Sequence, residues 1–376
     1  MTLTSQERAL VARARAFADQ DLVSAAEACE RDRAPDLAAL RAAAGLGLTS
    51  IQIPEAQGGL GMSFAAKSEI AEALARACFG FSMAILNTHN TAWRLAKLTD
   101  NPLAQRLFPP MMAGETTGCA ALTEPGAGSD FANIATRAER IPGGWRLNGA
   151  KAWITNARHA SVAICFAQTG TQGDGASIGA FIVEADRPGF SRTPDSGTFA
   201  IHANGIGGFS LTDYEAPEEA LIMEPGAAFR QIMSEINGAR IYVAAMCLGM
   251  VDAALDSATA YGKSRNSFGK PLGQHQGWRW RLAGAEAELA AARALVRKAE
   301  AEHSAGEDTQ LIAAQAKYVG IGLANKHIPE LLHAHGASGL KADSLFSRHI
   351  AGMQAASFAD GSTEIMLERI GRLARP

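Results

Sequence analysis

The segment from Leu122 to Asp130, with the sequence Leu-Thr-Glu-Pro-Gly-Ala-Gly-Ser-Asp, is the part of the chain best suited to bind a polar ligand. Its glycines expose backbone N–H groups, and Thr123 and Ser129 add hydroxyls. Such a turn can hold a phosphate or hydrogen-bond the polar edge of a ring. A short glycine motif by itself is more often an ordinary loop, so its meaning depends on the residues that accompany it.

Three further blocks could take part in the same chemistry, at residues 151–157, 261–270 and 359–365. The first places an aromatic ring, Trp153, and a hydroxyl, Thr155, on a predicted strand. The second carries the cation Arg265, and the third carries the carboxylate Asp360. Taken singly, Trp153 is more often a core aromatic and Arg265 a surface ion pair, so only their joint occurrence favours a site.

The elements that position these blocks change character twice along the 376 residues. Helical spacing dominates residues 1–116, short β-type runs separated by turn residues occupy 117–222, and helical periodicity returns over 223–376. The chain is too long for one hydrophobic core. We therefore predict a multidomain α+β protein with an N-terminal helical domain, a middle β-barrel or sandwich domain and a C-terminal four-helix bundle, with these boundaries.

Composition excludes several classes of protein. The formal net charge of −3 gives no basic excess for nucleic acid. Five scattered cysteines without metal-ligand spacing indicate reduced thiols in a cytoplasmic protein. The longest apolar stretch, residues 241–255, is too short to span a bilayer and predicts a buried core helix. The charged N-terminus lacks the apolar block of a signal peptide, so we expect no membrane association.

The four blocks, in this order and at these spacings, resemble the acyl-CoA dehydrogenase family over essentially the whole chain. An early segment, residues 54–61 (Pro-Glu-Ala-Gln-Gly-Gly-Leu-Gly), takes part in the resemblance. The resemblance implies FAD as cofactor and α,β-desaturation of an acyl thioester in fatty acid metabolism. It also implies an electron-transfer flavoprotein as electron acceptor and a homodimer or homotetramer.

The resemblance also implies roles for single residues around the flavin. The Leu122 backbone and Thr123 would hydrogen-bond the flavin ring. Ser129 would lie by the pyrophosphate and the thioester substrate. Trp153 would cover one flavin face, and Thr155 would approach the reactive ring nitrogen. These roles suit the side chains, because hydroxyls and backbone amides match ring edges and aromatic rings stack.

A second set of residues is expected at the far end of the cofactor. Arg265, Phe268 and Gln276 would reach the FAD of a neighbouring subunit, since members of the family share cofactor sites across a dimer. An arginine there suits the charge of a pyrophosphate. Ser362 and Glu364 would close the ADP end of the site.

The catalytic base is where this sequence departs from the family. Relatives most often carry Glu-Gly-Thr, whereas this chain has Asp360 followed by Gly361 and Ser362. The base would take the α-proton while hydride leaves the β-carbon, and its backbone N–H would polarise the substrate carbonyl. Aspartate is shorter by one methylene, or roughly 1 Å, a displacement that can cost on the order of a hundredfold in rate. Arg240 would lie near the substrate.

Several alternatives stay open at this point. Some relatives carry the base just before the arginine aligned with Arg240, but that position is an alanine here, which leaves Glu235 one turn earlier as a second candidate. Three alternative functions also fit the resemblance. The protein could be a dehydrogenase that acts on an acyl group held by an acyl-carrier protein, an oxidase, or a non-catalytic FAD-binding homologue. Aspartate as base also admits a cyclic acyl group. Asn87, His89 and Asn90 are expected to face solvent or cap a helix; facing the pocket instead, they would imply a polar acyl group.

Overall fold

The computed structural model describes residues 3–193 and 197–375. A π-helical segment, Ala18–Leu22, joins the first two α-helices. The α-helices are α1 Ser5–Phe17, α2 Val23–Asp32, α3 Leu37–Gly45, α4 Phe64–Ala75, α5 Phe79–Ala96, α6 Pro102–Met112, α7 Ala228–Ser264, α8 Gln276–Ser304, α9 Gln310–Ala334, α10 Leu345–Phe358 and α11 Thr363–Ala374. The strands are β1 Gly118–Ala121, β2 Arg137–Ile141, β3 Gly144–Ile154, β4 Val162–Gln168, β5 Ile178–Glu184, β6 Phe190–Arg192, β7 Gly207–Pro217, β8 Leu221–Met223, β9 Asn266–Ser267 and β10 Lys270–Pro271.

The described residues form two compact units. The helical unit comprises residues 3–31, 63–82 and 236–375, and the sheet unit comprises residues 32–62, 83–193 and 197–235. Helices of the first 116 residues are divided between the two units, because α1, α2 and α4 belong to the helical unit whereas α3 and α6 belong to the sheet unit.

The sheet unit is built on one eight-stranded mixed sheet in the order β6-β7-β3-β2-β4-β5-β8, with β1 pairing in parallel with β4. Strands β4 and β5 are buried along their whole length, which explains their nearly continuous apolar sequences. Strand β3 shifts register against β7 between Lys151 and Ile154. A shift of this kind can redirect a side chain, and here it falls at Trp153.

The helical unit has α9 at its centre, in contact with α8, α10 and α11. Apolar residues recur along α9 and are buried, for example Ile312, Ile321 and Ile328. Helix α11 begins at a cap in which the Ser362 hydroxyl accepts a hydrogen bond from the Ile365 N–H. The turn between α10 and α11, residues 359–362, is therefore held between two packed helices and carries the predicted base.

The predicted succession of helices, strands and helices is confirmed. Strands β1 to β7 lie within residues 117–222, where short β-type runs were expected. The apolar stretch at 241–255 lies in α7, which is long and apolar enough to cross a membrane, yet 78% of its most apolar window is buried in protein. It is thus a core helix and does not indicate a membrane protein. All five cysteines are buried.

Candidate functional site

The glycine turn is closed by a pair of backbone hydrogen bonds. The Glu124 N–H donates to the Ala127 carbonyl over 2.9 Å, and the Ala127 N–H returns the bond over 3.2 Å. Ser129 is exposed just beyond the turn. A Cβ atom added at Gly126 or Gly128 would meet nothing within 4 Å. The packing of this chain therefore does not require glycine there, which fits a surface left open for close approach by a ligand.

A buried ion pair lies beneath this turn. The Lys151 Nζ is 2.7 Å from the Glu124 carboxylate and also donates to the Leu122 carbonyl over 3.2 Å. The same carboxylate accepts N–H bonds from Ala135 and Thr136. Burial would raise the pKa of Glu124, but Lys151 and these donors outweigh it and lower that pKa. The pair fixes the Leu122–Thr123 edge, since it holds the chain on both sides of Thr123.

Trp153 is displayed by strained backbone at the register shift of β3. Its φ is 60°, which is rare for a residue without a short polar side chain, and its side chain is 56% exposed. The adjacent Ala152 N–H donates to the Thr123 carbonyl over 3.1 Å, so the first two sequence blocks meet directly. Thr155 is half-buried two residues further on.

Asn156 anchors this second block from within. Its side-chain amide nitrogen lies 2.9 Å from the Ala84 carbonyl, 3.0 Å from the Gly118 carbonyl and 3.2 Å from the Thr88 hydroxyl. Asn156 has a φ of 65°, a conformation that asparagine tolerates better than most residues. Asn156 lies within the block at residues 151–157, and the sequence by itself assigned it no role.

The base loop, residues 359–362, has an unusual backbone. Asp360 has a φ of 54° and Gly361 a φ of 103°. Aspartate is among the few residues enriched in the left-handed region. A Cβ atom at Gly361 would also lie 3.2 Å from the Met366 Cε and 3.5 Å from Arg240, so glycine is favoured there on two grounds. The loop presents Asp360 half-buried.

Two buried cations hold the carbonyls of this loop. Lys317, on α9, donates to the carbonyls of Ala359 and Gly361. Arg240, on α7, donates from Nε to the Asp360 carbonyl over 3.1 Å. Three successive carbonyls are thus satisfied by side chains from two helices. Arg240 was anticipated as a cation near the substrate, and the structure places it against the base loop.

Sequence reasoning missed Lys317. Its side chain is fully buried, and burial is the main cause that lowers its pKa to about 8, although the nearby Asp360 opposes the shift. The signal available in the sequence was a lysine in the apolar register of α9, between Ala313 and Ile321. A charged residue at such a position is rarely buried without a specific partner.

The residues predicted to reach a neighbouring subunit lie together where α7 ends and α8 begins. Arg265, Phe268 and Gln276 are all exposed, and Phe268 is 95% exposed on the tip of the β9–β10 hairpin with a φ of 50°. His275 lies against Phe268, with ring centroids 6.3 Å apart. An aromatic ring held out in this way is available to a ligand or a second copy of the chain.

The residues predicted for the ADP end have local roles of their own. The Ser362 hydroxyl caps α11, and Glu364 lies exposed in the first turn of that helix. Hydrogen bonds from its own backbone and from Ser362 lower the pKa of Glu364. A carboxylate in the first turn also suits the helix dipole.

Glu235, the second candidate for the base, is committed to an ion pair. Its carboxylate lies 2.5 Å from the Arg94 Nε and 3.2 Å from the Gln231 amide. Burial would raise the pKa of Glu235, but Arg94 and Gln231 lower that pKa overall.

His89 is fully buried, with its Nδ1 3.2 Å from the Thr49 carbonyl, so the expectation that His89 faces solvent is wrong. The Asn87 side chain accepts a bond from the Ala120 N–H.

These loops are typical of a flavin-dependent oxidoreductase, since an exposed indole beside hydroxyls and an open glycine turn suits an aromatic ring with a polar edge. The N-terminal, middle and C-terminal domains of acyl-CoA dehydrogenase match residues 4–115, 119–214 and 226–374. The bovine (Bos taurus) mitochondrial short-chain specific acyl-CoA dehydrogenase is 30% identical over 93% of this chain and 85% of its own length. The chain therefore belongs to the acyl-CoA dehydrogenase family, whose members are FAD-dependent oxidoreductases that act on CH–CH groups.

Solved structures agree with this assignment. Butyryl-CoA dehydrogenase from Megasphaera elsdenii superposes with a TM-score of 0.94 at 28% identity, covering 100% of both chains. A glutaryl-CoA dehydrogenase from Mycobacterium smegmatis, solved in complex with FADH2, has a TM-score of 0.92 at 25% identity and covers 99% of this chain and 95% of that one.

Proposed function

We propose that this protein is an acyl-CoA dehydrogenase in which Asp360 removes the α-proton of the acyl thioester. The observation that carries the proposal is the base loop, which presents a half-buried carboxylate while two buried cations satisfy the carbonyls around it. FAD, when bound, supplies the acceptor for the β-hydride. Asp360 holds the α-proton after its removal, and its backbone N–H is suited to polarise the thioester carbonyl.

The choice of Asp360 over Glu235 rests on the surroundings of the two carboxylates. Arg94 and Gln231 both bind Glu235 and lower its pKa, which makes it a weaker base. A general base is most effective when its pKa lies near the working pH. Proton removal by Glu235 would also require breaking a largely buried ion pair, which is costly.

We propose that residues of the sheet unit bind the flavin ring. Thr123 and the Leu122 backbone would bind the ring edge, Trp153 a ring face, and Thr155 the region near the reactive nitrogen. Ser129 would serve both pyrophosphate and substrate. The support is that Ala152 and Lys151, which directly precede Trp153, are joined to the Leu122–Ser129 turn by a backbone hydrogen bond and a buried ion pair.

The remaining contacts follow the same proposal. Arg265, Phe268 and Gln276 would bind the FAD of a second subunit in a dimer or tetramer, and Ser362 and Glu364 would close the ADP end. The exposure of Arg265, Phe268, Gln276 and Glu364 supports this. An electron-transfer flavoprotein would accept the electrons. Because relatives are named short-chain specific or butyryl-CoA dehydrogenases, a short acyl-CoA is the first substrate to test.

The decisive experiment compares Asp360→Asn with Glu235→Gln. Both substitutions keep the size of the side chain and remove its basicity. We expect Asp360→Asn to slow anaerobic flavin bleaching by a short-chain acyl-CoA by roughly 10²- to 10⁴-fold, and Glu235→Gln to slow it far less. Flavin content and thermal midpoint, measured on both variants, separate chemistry from folding. The reverse order of rates would assign the base to Glu235.

A substrate panel tests the acyl group and its carrier. Straight-chain, branched, cyclic and hydroxylated acyl groups would be compared, each attached to CoA and to an acyl-carrier protein, with an artificial electron acceptor. Turnover confined to the carrier-bound forms would contradict the CoA assignment. A yellow protein whose flavin bleaches with no thioester would indicate a non-catalytic homologue.

A further inference from the structure

A fully buried lysine lies directly beneath the base loop. Lys317 donates to the carbonyls on both sides of Asp360, those of Ala359 and Gly361, while Arg240 donates to the carbonyl of Asp360 itself. We infer that Lys317 is a positioning residue that aims the backbone N–H of Asp360 at the substrate carbonyl and strengthens it as a donor. The inference rests on the proposed function, in which that N–H polarises the thioester.

The geometry of the peptide bond carries the first half of this inference. The described residues contain no cis peptide bond. In a planar trans peptide the C=O of one residue and the N–H of the next point in opposite directions. Because Lys317 fixes the Ala359 carbonyl, it also fixes the Asp360 N–H, which must point away from the lysine. Arg240 and Lys317 fix the next two peptides in the same way.

The charge of Lys317 carries the second half. A hydrogen bond from an ammonium group to a carbonyl is stronger than a neutral one. Hydrogen bonds in a chain polarise one another, so a cation bound to the Ala359 oxygen makes the N–H of the same peptide a better donor. A donor that is already oriented and polarised costs little reorganisation when charge develops on the substrate oxygen.

A purely structural role offers a different explanation. Ala359 is the C-cap residue of α10, and cations at helix C-termini stabilise the last carbonyls. That role would account for the bond to Ala359 and for a loss of stability when the lysine is removed. It would leave the polarisation of a bound thioester unchanged, provided the protein still folds. The two roles therefore differ in a spectroscopic observable.

The test is the infrared stretch of a ¹³C-labelled thioester carbonyl in enoyl-CoA bound to the FAD-loaded enzyme. We expect the stretch in the wild type to lie below its value in free enoyl-CoA, and in Lys317→Met to move back toward the free value. We also expect kcat to fall by roughly ten- to a hundredfold while KM changes much less. Lys326→Met, an exposed lysine on the same helix that pairs with Glu288, is the matched control and should change neither quantity.

The outcomes separate this inference from the function on which it rests. A wild-type stretch equal to that of free enoyl-CoA would contradict the proposed function, because no donor would be polarising the carbonyl. A lowered stretch that is identical in wild type and Lys317→Met would overturn only the role of Lys317. If Lys317→Met does not fold, the test uses Lys317→Gln instead, because glutamine keeps a hydrogen-bond donor that carries no charge. The same shift is expected from it, and an unshifted band would overturn the inference.

Discussion

Among the described residues, two fully buried lysines, Lys151 and Lys317, lie beneath the loops proposed to be functional, and they are held in different ways. Lys151, in the sheet unit, lies 2.7 Å from the Glu124 carboxylate and forms an ion pair with it under the glycine turn. Lys317, in the helical unit, donates to backbone carbonyls of the base loop, where Arg240 adds a second cation. Under the proposed function, the first arrangement would support a surface for the cofactor, whereas the second would orient backbone donors for the reaction.

The difference gives the two sites opposite responses to pH. The lowered pKa of Glu124 means that its stabilising contribution is present above the ordinary pKa near 4.5 and is lost as the pH falls through the folded-state value. The lowered pKa of Lys317 means that its burial is least favourable while it is protonated. Low pH therefore removes the stabilisation that Glu124 contributes, whereas high pH removes the energetic cost of burying a charged Lys317.

The largest effect is expected when the ion pair between Lys151 and Glu124 in the sheet unit is broken. Glu124→Gln leaves the Lys151 ammonium buried without its carboxylate, so the free energy of unfolding should fall by about 3–5 kcal/mol. Chemical denaturation followed by circular dichroism would measure this. The double variant Glu124→Gln/Lys151→Met should recover much of the loss, because an apolar replacement of a buried pair is often neutral. A single variant as stable as the wild type would show that the pair contributes little.

The second prediction concerns the pH dependence that Lys317 adds. Between pH about 8 and 10.5 the unfolded chain still binds the proton that the folded protein has released, so stability should rise with pH across this window. The gain is roughly 3 kcal/mol at 1.36 kcal/mol per pKa unit. Asp360, Arg240 and Cys247 are the ionisable groups that act on Lys317.

The measurement is the difference in unfolding free energy between wild type and Lys317→Met at several pH values. The subtraction removes the titration of other lysines and tyrosines. Lys326→Met should reproduce the wild-type dependence, because its lysine is largely exposed. A difference that stays constant from pH 8 to 10.5 would show that Lys317 titrates as an ordinary lysine.

A smaller effect is expected from removal of the uncharged Asn156 amide, which anchors the Trp153 segment of the sheet unit. Asn156→Gly removes the amide that serves the Ala84 and Gly118 carbonyls, while glycine tolerates the φ of 65°. We expect a loss of about 1–3 kcal/mol in stability and a lower FAD content after dialysis, since Trp153 and Thr155 lose their support. Asn148→Gly, at an exposed position on β3, controls for removal of an asparagine side chain. Equal FAD retention in both variants would contradict the anchoring role.

The smallest effect concerns the cap of α11 beside the base loop. Ser362→Ala should cost about 1 kcal/mol by removing the hydroxyl that accepts the Ile365 N–H. Ser63→Ala removes the corresponding cap of α4 and should cost a similar amount. If Ser362 also binds FAD, only Ser362→Ala should weaken the affinity for FAD. Identical FAD affinities would restrict Ser362 to its capping role.

Some residues of the candidate site could be predicted from the sequence because they stand in recognisable blocks. Others could not, because their role depends on contacts with distant segments. Trp153, Arg265 and Asp360 stand in blocks whose residue types and order are specific, so they could be picked out directly. Lys317 lies 43 positions before Asp360 and has no motif of its own, so nothing local links it to the base. His89 looked like a solvent-facing polar residue, because its bond to Thr49 joins segments 40 positions apart.

Sequence alone determined the family, the FAD cofactor and the succession of helices, strands and helices, because these depend on periodicity and on short blocks of residue types. Tertiary structure decided which groups hold the functional loops. The left-handed turn at Asp360, the two cations beneath it, the Arg94 pair that occupies Glu235 and the amide anchor at Asn156 all arise from contacts between distant segments. Burial and hydrogen bonding across such contacts set the energies of charged groups, and local sequence does not encode them.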